Sequence, residues 1–299
     1  MLTIVSLYFL GSVLVSGWRE IRQMIDVSSL ITFVVLAIPV YVLTTISGAF
    51  AWTTAFRSTG ERLPITVGLS IFLISQIGKY VPGNIGHYAG RLGLLKLSGR
   101  PVAKGSISLL LEVIWMVGAA ATLSVYALFT GALRSAEEIY GLIDWLPLLV
   151  LLTALVVPNV VIQLFNRLPE NLRGNLGFAG TLQRPPEAIV LICYGLYFIN
   201  FLLNGLILVA GFHWLFGLST ADPVLTVSLY AVVWLLGFIL PGAPGGIGVR
   251  EALFLLFLGG IYGEAAAAAV AVIMRLISVA GDLVAFGIGS LLMRRERAV

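Results

Sequence analysis

Charge is what this sequence has least of. Asp, Glu, Lys and Arg make up 11% of its 299 residues, less than half the roughly 25% of an ordinary soluble domain. So few charges cannot cover the surface of a water-soluble globule of this length. A cytosolic enzyme, a secreted disulfide scaffold, a disordered chain and a nucleic-acid binder are all excluded. Cysteine is nearly absent as well. Cys193 stands alone in an apolar run, where it forms no internal disulfide and reads as a small packing residue. With two histidines and no spaced ligand cluster, neither a metal site nor a cofactor is expected. No nucleophile elbow, Walker motif or dinucleotide fingerprint is present, and no segment is polar and long enough for a soluble catalytic domain. The expectation is a protein that is not an enzyme.

What the sequence does have is apolar length. Hydrophobic residues make up 59% of it, and the mean hydropathy is +1.04. This is the composition of an all-α, polytopic membrane protein; an outer-membrane barrel gives a much weaker signal. A spanning helix needs about 20 apolar residues. Five stretches fit, at about 29–56, 104–131, 145–166, 188–216 and 264–293. Met1–Trp18 is shorter and lacks a basic leading region, so it reads as a retained helix rather than a signal peptide.

Two further stretches, 65–97 and 225–260, are apolar at both ends and broken in the middle. The first break reads Lys79-Tyr80-Val81-Pro82-Gly83-Asn84-Ile85-Gly86-His87, the second Pro241-Gly242-Ala243-Pro244-Gly245-Gly246-Ile247-Gly248. Proline removes a helical donor and glycine disfavours helix, so neither stretch is one continuous helix. Each arm, about 14 residues long, would reach about 21 Å against about 30 Å of hydrocarbon. Each stretch therefore reads as a re-entrant hairpin of two half-helices, surrounded by protein or a water-filled cavity.

The hairpins resemble each other. Pro82-Gly83-Asn84-Ile85-Gly86 recurs as Pro244-Gly245-Gly246-Ile247-Gly248, and Thr66-Val67-Gly68-Leu69 as Thr226-Val227-Ser228-Leu229. Glu112 with Gly118 recurs, in spacing, as Arg275 with Gly281. The expected organisation is one transmembrane domain over 1–299. It holds a first repeat at about 29–131, a linking helix at about 145–166 and a second repeat at about 188–293. One extra crossing between the copies makes them inverted, an arrangement that recurs in transporters.

Loop charges give an orientation. Arg57, Arg62, Lys96, Arg100, Lys104, Arg167, Arg173, Arg184, Arg294, Arg295 and Arg297 fall on one side, and only Arg19, Arg22 and Arg134 on the other. Cytoplasmic loops carry the excess of basic residues. Both termini are therefore expected in the cytoplasm, with the first hairpin entering from that side and the second from outside.

Ionisable groups within a membrane are rare and mark function. Those left after the loops are Lys79, Arg91, Arg250, Arg275, Glu112, Glu251 and Asp282, with His87 and His213. Nearly all fall on the hairpins or on the helix after each. Lys79, His87, Arg91 and Arg250, with Gly83, Gly86, Gly245, Gly246 and Gly248 in the turns, form a candidate phosphate site. Both breaks lead into helix N-termini, whose free N–H groups favour anions. The alternative is that Lys79 and Arg91 reach to an interface and Arg250 pairs with Glu251 or Glu112. Glu112, Glu251, Arg275 and Asp282 form either a structural ion-pair network or a gating network that exchanges partners. His213, beside Trp214, reads as interfacial.

The string Pro241-Gly242-Ala243-Pro244-Gly245-Gly246-Ile247-Gly248-Val249-Arg250-Glu251-Ala252 resembles the signature of the lysylphosphatidylglycerol synthase transmembrane-region family. Lys79-Tyr80-Val81-Pro82-Gly83, Arg91 and Glu112 resemble its N-terminal motif. The resemblance implies a lipid-translocating fold of the cytoplasmic (inner) membrane in prokaryotes. In multiple-peptide-resistance proteins this region is regarded as a flippase for aminoacylated phosphatidylglycerol. The separate synthase domain of those proteins has no counterpart in this sequence, so aminoacyl transfer is not implied. The expected function is a flippase moving a phospholipid or a lipid-linked phosphate head group. The alternative is a membrane-embedded transferase, or an accessory subunit, acting on polyprenyl-phosphate-linked sugars. Expected partners are membrane lipids, with a glycosyltransferase or synthase as a candidate protein partner and no nucleic acid.

Overall fold

A computed structural model describes residues 12, 15, 17–81, 85–132, 156–157, 159–175, 181–182, 184–218, 222–239 and 248–298. The described residues are helical apart from short connections. Four long helices carry the apolar runs: α2 (Val27–Arg57), α5 (Val102–Ala132), α7 (Glu187–Phe216) and α10 (Glu264–Ala298). Each is long and apolar enough to cross a membrane. They match four of the five expected spans. Of the fifth, at 145–166, residues 156–157 and 159–166 are described, and they are helical. Met1–Trp18 lies largely outside the described residues. Between the long helices sit α1 (Trp18–Met24), α3 (Ile65–Ser75) with a 3-10 extension over Gln76–Tyr80, α4 (Gly86–Leu97), α6 (Glu170–Asn175), α8 (Pro223–Ile239) and α9 (Val249–Tyr262).

Local chemistry sets the ends. Asp26 caps α2 by accepting from the Ser29 backbone N–H at 2.9 Å. Proline opens or immediately precedes α3, α7 and α8, where its missing N–H leaves no orphan. Gly263, at φ +88°, separates α9 from α10 in a conformation that L side chains rarely adopt.

The pairing of helices is the informative part. Helices α2 and α7 pack on each other. Helix α2 also packs on α3 and α10, and α7 on α8 and α5. The short helix α3 packs on α10, and α8 on α5; α4 packs on α3 and α5, and α9 on α8 and α10. Exchanging the first four of these helices (α2–α5) for the last four (α7–α10) reproduces every one of these pairs.

The two pairs of short helices open at opposite ends of α5. Lys104 near its start pairs with Glu61, just before α3, at 2.8 Å. Tyr126 near its end donates to Asp222, just before α8, at 2.6 Å. Those positions are separated by about 33 Å of helix, close to the thickness of a bilayer's hydrocarbon core. Thr226 at the start of α8 bonds Tyr262 at the end of α9 at 2.7 Å, so that pair returns to the end it came from. Thr66 at the start of α3 bonds Glu296, which brings the end of α10 to the Lys104 end.

The outer surface is apolar. Leu43, Leu191, Leu256, Leu276, Leu283 and Leu291 are all exposed, as suits helices facing lipid rather than water. His213 and Trp214 are exposed at the end of α7.

Candidate functional site

The first broken segment is held together by glycine. A Cβ on Gly86 would meet the Gly78 carbonyl oxygen at 2.3 Å, and one on Gly78 would meet the Gly86 backbone at 2.6 Å. Only two glycines allow the 3-10 turn to lie this close to the start of α4. That approach places Lys79 and His87 beside each other at the break and puts Arg91 one turn deeper.

Arg91 is completely buried and ion-paired with Glu112 on α5, itself 3% exposed. The guanidinium lies 4.0 Å from the Phe72 ring centroid and 4.9 Å from that of Trp52, so aromatic faces supply the rest of its solvation. In the second half the polarity is reversed. Glu251 on α9 carries the carboxylate and Arg275 on α10 the guanidinium, Oε1 to Nε at 2.5 Å. The other oxygen of Glu251 accepts from the Gly248 backbone N–H at 2.7 Å. Gly248 has φ +83°, which requires glycine. Each half thus ties its returning short helix to the following long helix through one buried pair.

A third pair joins the halves. Lys79 meets Asp282 on α10 at 2.6 Å. Tyr80 donates to the same carboxylate at 2.5 Å and Tyr41 at 3.2 Å. Tyr41 fits there because position 281 is glycine; a Cβ on Gly281 would lie 2.3 Å from its ring.

Arg250 is different. It makes no ion pair or hydrogen bond with any described residue, and its Nε is buried without a partner. Its guanidinium lies 5.9 Å from the Trp234 ring centroid. The aliphatic stem crosses α8 at Gly237, where a Cβ would meet Arg250 Cγ at 2.7 Å.

All these elements surround one cavity of about 250 Å³. Lys79, His87, Arg91, Glu112, Arg250, Glu251 and Arg275 line it. Asp282 stands behind Lys79, on a second, apolar depression with Tyr80. Gly86 and Gly248 shape the adjoining backbone. Gly83, Gly245 and Gly246 lie outside the described residues. The alternative in which Arg250 pairs with Glu251 or Glu112 is not what the structure shows, because both carboxylates are taken by Arg275 and Arg91.

Several lining residues carried no signal as ionisable groups. Tyr41, Gln76, Tyr197, Asn200, Asn204 and Trp234 all face the cavity. Asn204 donates to Thr44 on α2 at 3.2 Å. The offset relating Thr66 to Thr226 also relates Thr44 to Asn204, so this bond sits where the halves meet. Asn200 and Asn204, four apart in an apolar run, were the available sign. Buried polar atoms without partners concentrate here: His87 Nδ1, Arg91 Nη2, Tyr197 Oη, Asn200 Oδ1, Asn204 Oδ1 and Arg250 Nε. Such atoms are costly in a dry interior and mark a place for polar occupants.

Among the described residues, the arrangement offers an anion one guanidinium without an ion-pair partner, in a cavity walled by aromatic and amide side chains. The sequence pattern of the family described as Lysylphosphatidylglycerol synthase TM region matches residues 2–285, nearly the whole chain. No curated protein matches the chain itself.

Proposed function

The chain belongs to the lysylphosphatidylglycerol synthase TM region family, and on that premise we propose that it translocates a lipid across a prokaryotic cytoplasmic membrane. The head group passes through the central cavity while the hydrocarbon chains remain in lipid. Arg250 binds the lipid phosphate. It is the observation that carries this reading, as a buried-facing cation with no ion-pair partner among the described residues, in a cavity lined from both broken segments. An uncompensated charge at membrane depth costs several kcal/mol unless a ligand or water meets it.

In this reading the halves are inverted repeats and the short helices are re-entrant hairpins. The exchange symmetry of the helix pairs, and their opening at opposite ends of α5, support it. The basic loop end faces the cytoplasm. Alternating access is a rocking of one half against the other around a fixed site. Lys79–Asp282 is the pair that must break and reform, because it joins the halves, whereas Arg91–Glu112 and Glu251–Arg275 stay within them.

The test is head-group exposure in reconstituted liposomes. Labelled phospholipid placed in one leaflet reaches the other faster in vesicles holding the protein. A rate equal to that of empty vesicles overturns the reading.

A further inference from the structure

The charges around the cavity restrict the lipid it accepts. Four cations approach it: Lys79, Arg91, Arg250 and Arg275. Three carboxylates are available, Glu112, Glu251 and Asp282, and each is already paired with one of the other three cations. Arg250 alone is left over. Counted over these seven side chains, the site carries one positive charge. The segments outside the described residues at the two breaks, 82–84 and 240–247, contain no ionisable side chain, so they do not alter this balance.

A single surplus charge matches a single phosphodiester. A diphosphate would bring at least one further negative charge without a partner. An aminoacyl head group would bring an ammonium, and among the described cavity residues no carboxylate is free to receive it. Both would suffer the desolvation cost of an unpaired charge.

The neutral walls indicate what lies beyond the phosphate. Asn200 Oδ1, Asn204 Oδ1 and Tyr197 Oη have no partners, and they complement hydroxyl groups, which both donate and accept. Phe201 and Phe238 flank Trp234 at ring-centroid distances of 4.8 and 5.2 Å, forming an apolar aromatic wall. A cavity of about 250 Å³ falls just below the roughly 300 Å³ at which small-ligand sites start, so it suits one head group and no chain.

We propose that the cavity selects a lipid whose head group is uncharged and hydroxyl-bearing, joined through a single phosphodiester, and that it rejects cationic aminoacyl and diphosphate-linked head groups. Glycosyl and glycerol head groups share this chemistry. The inference rests on the proposed phosphate role of Arg250 but does not require transport.

Binding therefore tests it, by native mass spectrometry of the full chain in detergent. Four probes are compared: phosphatidylglycerol, a prenyl-monophosphate hexose, lysyl-phosphatidylglycerol and a prenyl-diphosphate hexose. The expected result is at least tenfold preference for one or both of the first two over the last two, and loss of that binding in Arg250→Gln. Which of the first two binds tells glycerol from glycosyl. In Asn200→Asp, which adds a carboxylate of the same shape, lysyl-phosphatidylglycerol gains affinity. Equal or better binding of the lysyl or diphosphate lipid by the wild type overturns the proposal, as does no binding of any probe. Selective binding without translocation in liposomes leaves the selectivity standing and removes the transport reading.

Discussion

Arg91 and Glu112 are paired across the interface of α4 and α5 with both side chains withdrawn from the outer surface, at 0% and 3% exposure. Neither can recover hydration if the other is removed. Arg91→Ala or Glu112→Ala should each destabilise the fold by about 3–5 kcal/mol, the usual cost of orphaning a buried charge. Replacing both, as Arg91→Met with Glu112→Leu, should recover most of that loss. Thermal unfolding in detergent reads the difference; equal losses in single and double variants contradict the pairing.

Lys79 and Asp282 form an unequal pair. The lysine side chain is 20% exposed and the aspartate 1%. Lys79→Ala therefore strands a buried carboxylate, whereas in Asp282→Asn the ammonium can rehydrate. The lysine variant should be the less stable by about 1–3 kcal/mol. The reverse order in thermal unfolding contradicts the assignment of Asp282 as the buried partner.

The Gly78–Gly86 contact should tolerate no side chain. Gly86→Ala drives a methyl group into a backbone carbonyl, and overpacking of this kind costs about 1–3 kcal/mol. Gly93→Ala, on the same helix and with nothing within 4 Å of its Cβ, should be neutral or slightly stabilising. Parallel unfolding of the two variants decides whether position 86 is special.

Outside the spans, Asp222 accepts from the Tyr126 hydroxyl and from the Val224 backbone N–H. These bonds lower its carboxyl below the ordinary 3.8, the tyrosine contributing most. A depressed folded value means that the carboxylate stabilises the fold above the unfolded value. That contribution is lost as pH falls through the folded one. Wild type should be more stable than Asp222→Asn at neutral pH, with the gap closing below about pH 4. A gap that is constant with pH rejects the ionised carboxylate as the acceptor.

The long helices were legible because apolar runs of 26 to 33 residues leave no other reading. The site was legible because charge is scarce: subtracting the loops left seven charged residues, six of which line the cavity while Asp282 backs Lys79. Partner choice was not legible. Arg250 and Glu251 are adjacent in sequence, yet successive helical residues point apart, so Glu251 turns to Arg275 and Arg250 to the cavity. The neutral wall was hidden for another reason. Asn200, Asn204, Tyr197 and Trp234 lie on helices that read as plain apolar spans, and only the packing of α7 against α2 and α8 brings them to the two breaks. Tyr41 joins Asp282 only through the close approach of α2 to Gly281.

The central claim is that Arg250 is free because a lipid phosphate is its partner. The most direct test compares leaflet-to-leaflet lipid movement by wild type, Arg250→Lys and Arg250→Gln in liposomes, with thermal unfolding of each variant alongside. Losing one charge-assisted contact to an anion is worth about 1.5–3 kcal/mol, or roughly 10- to 150-fold. The account predicts that Arg250→Gln is slowed by that factor with stability undiminished, and that Arg250→Lys retains part of the rate. Movement by Arg250→Gln at the wild-type rate contradicts it.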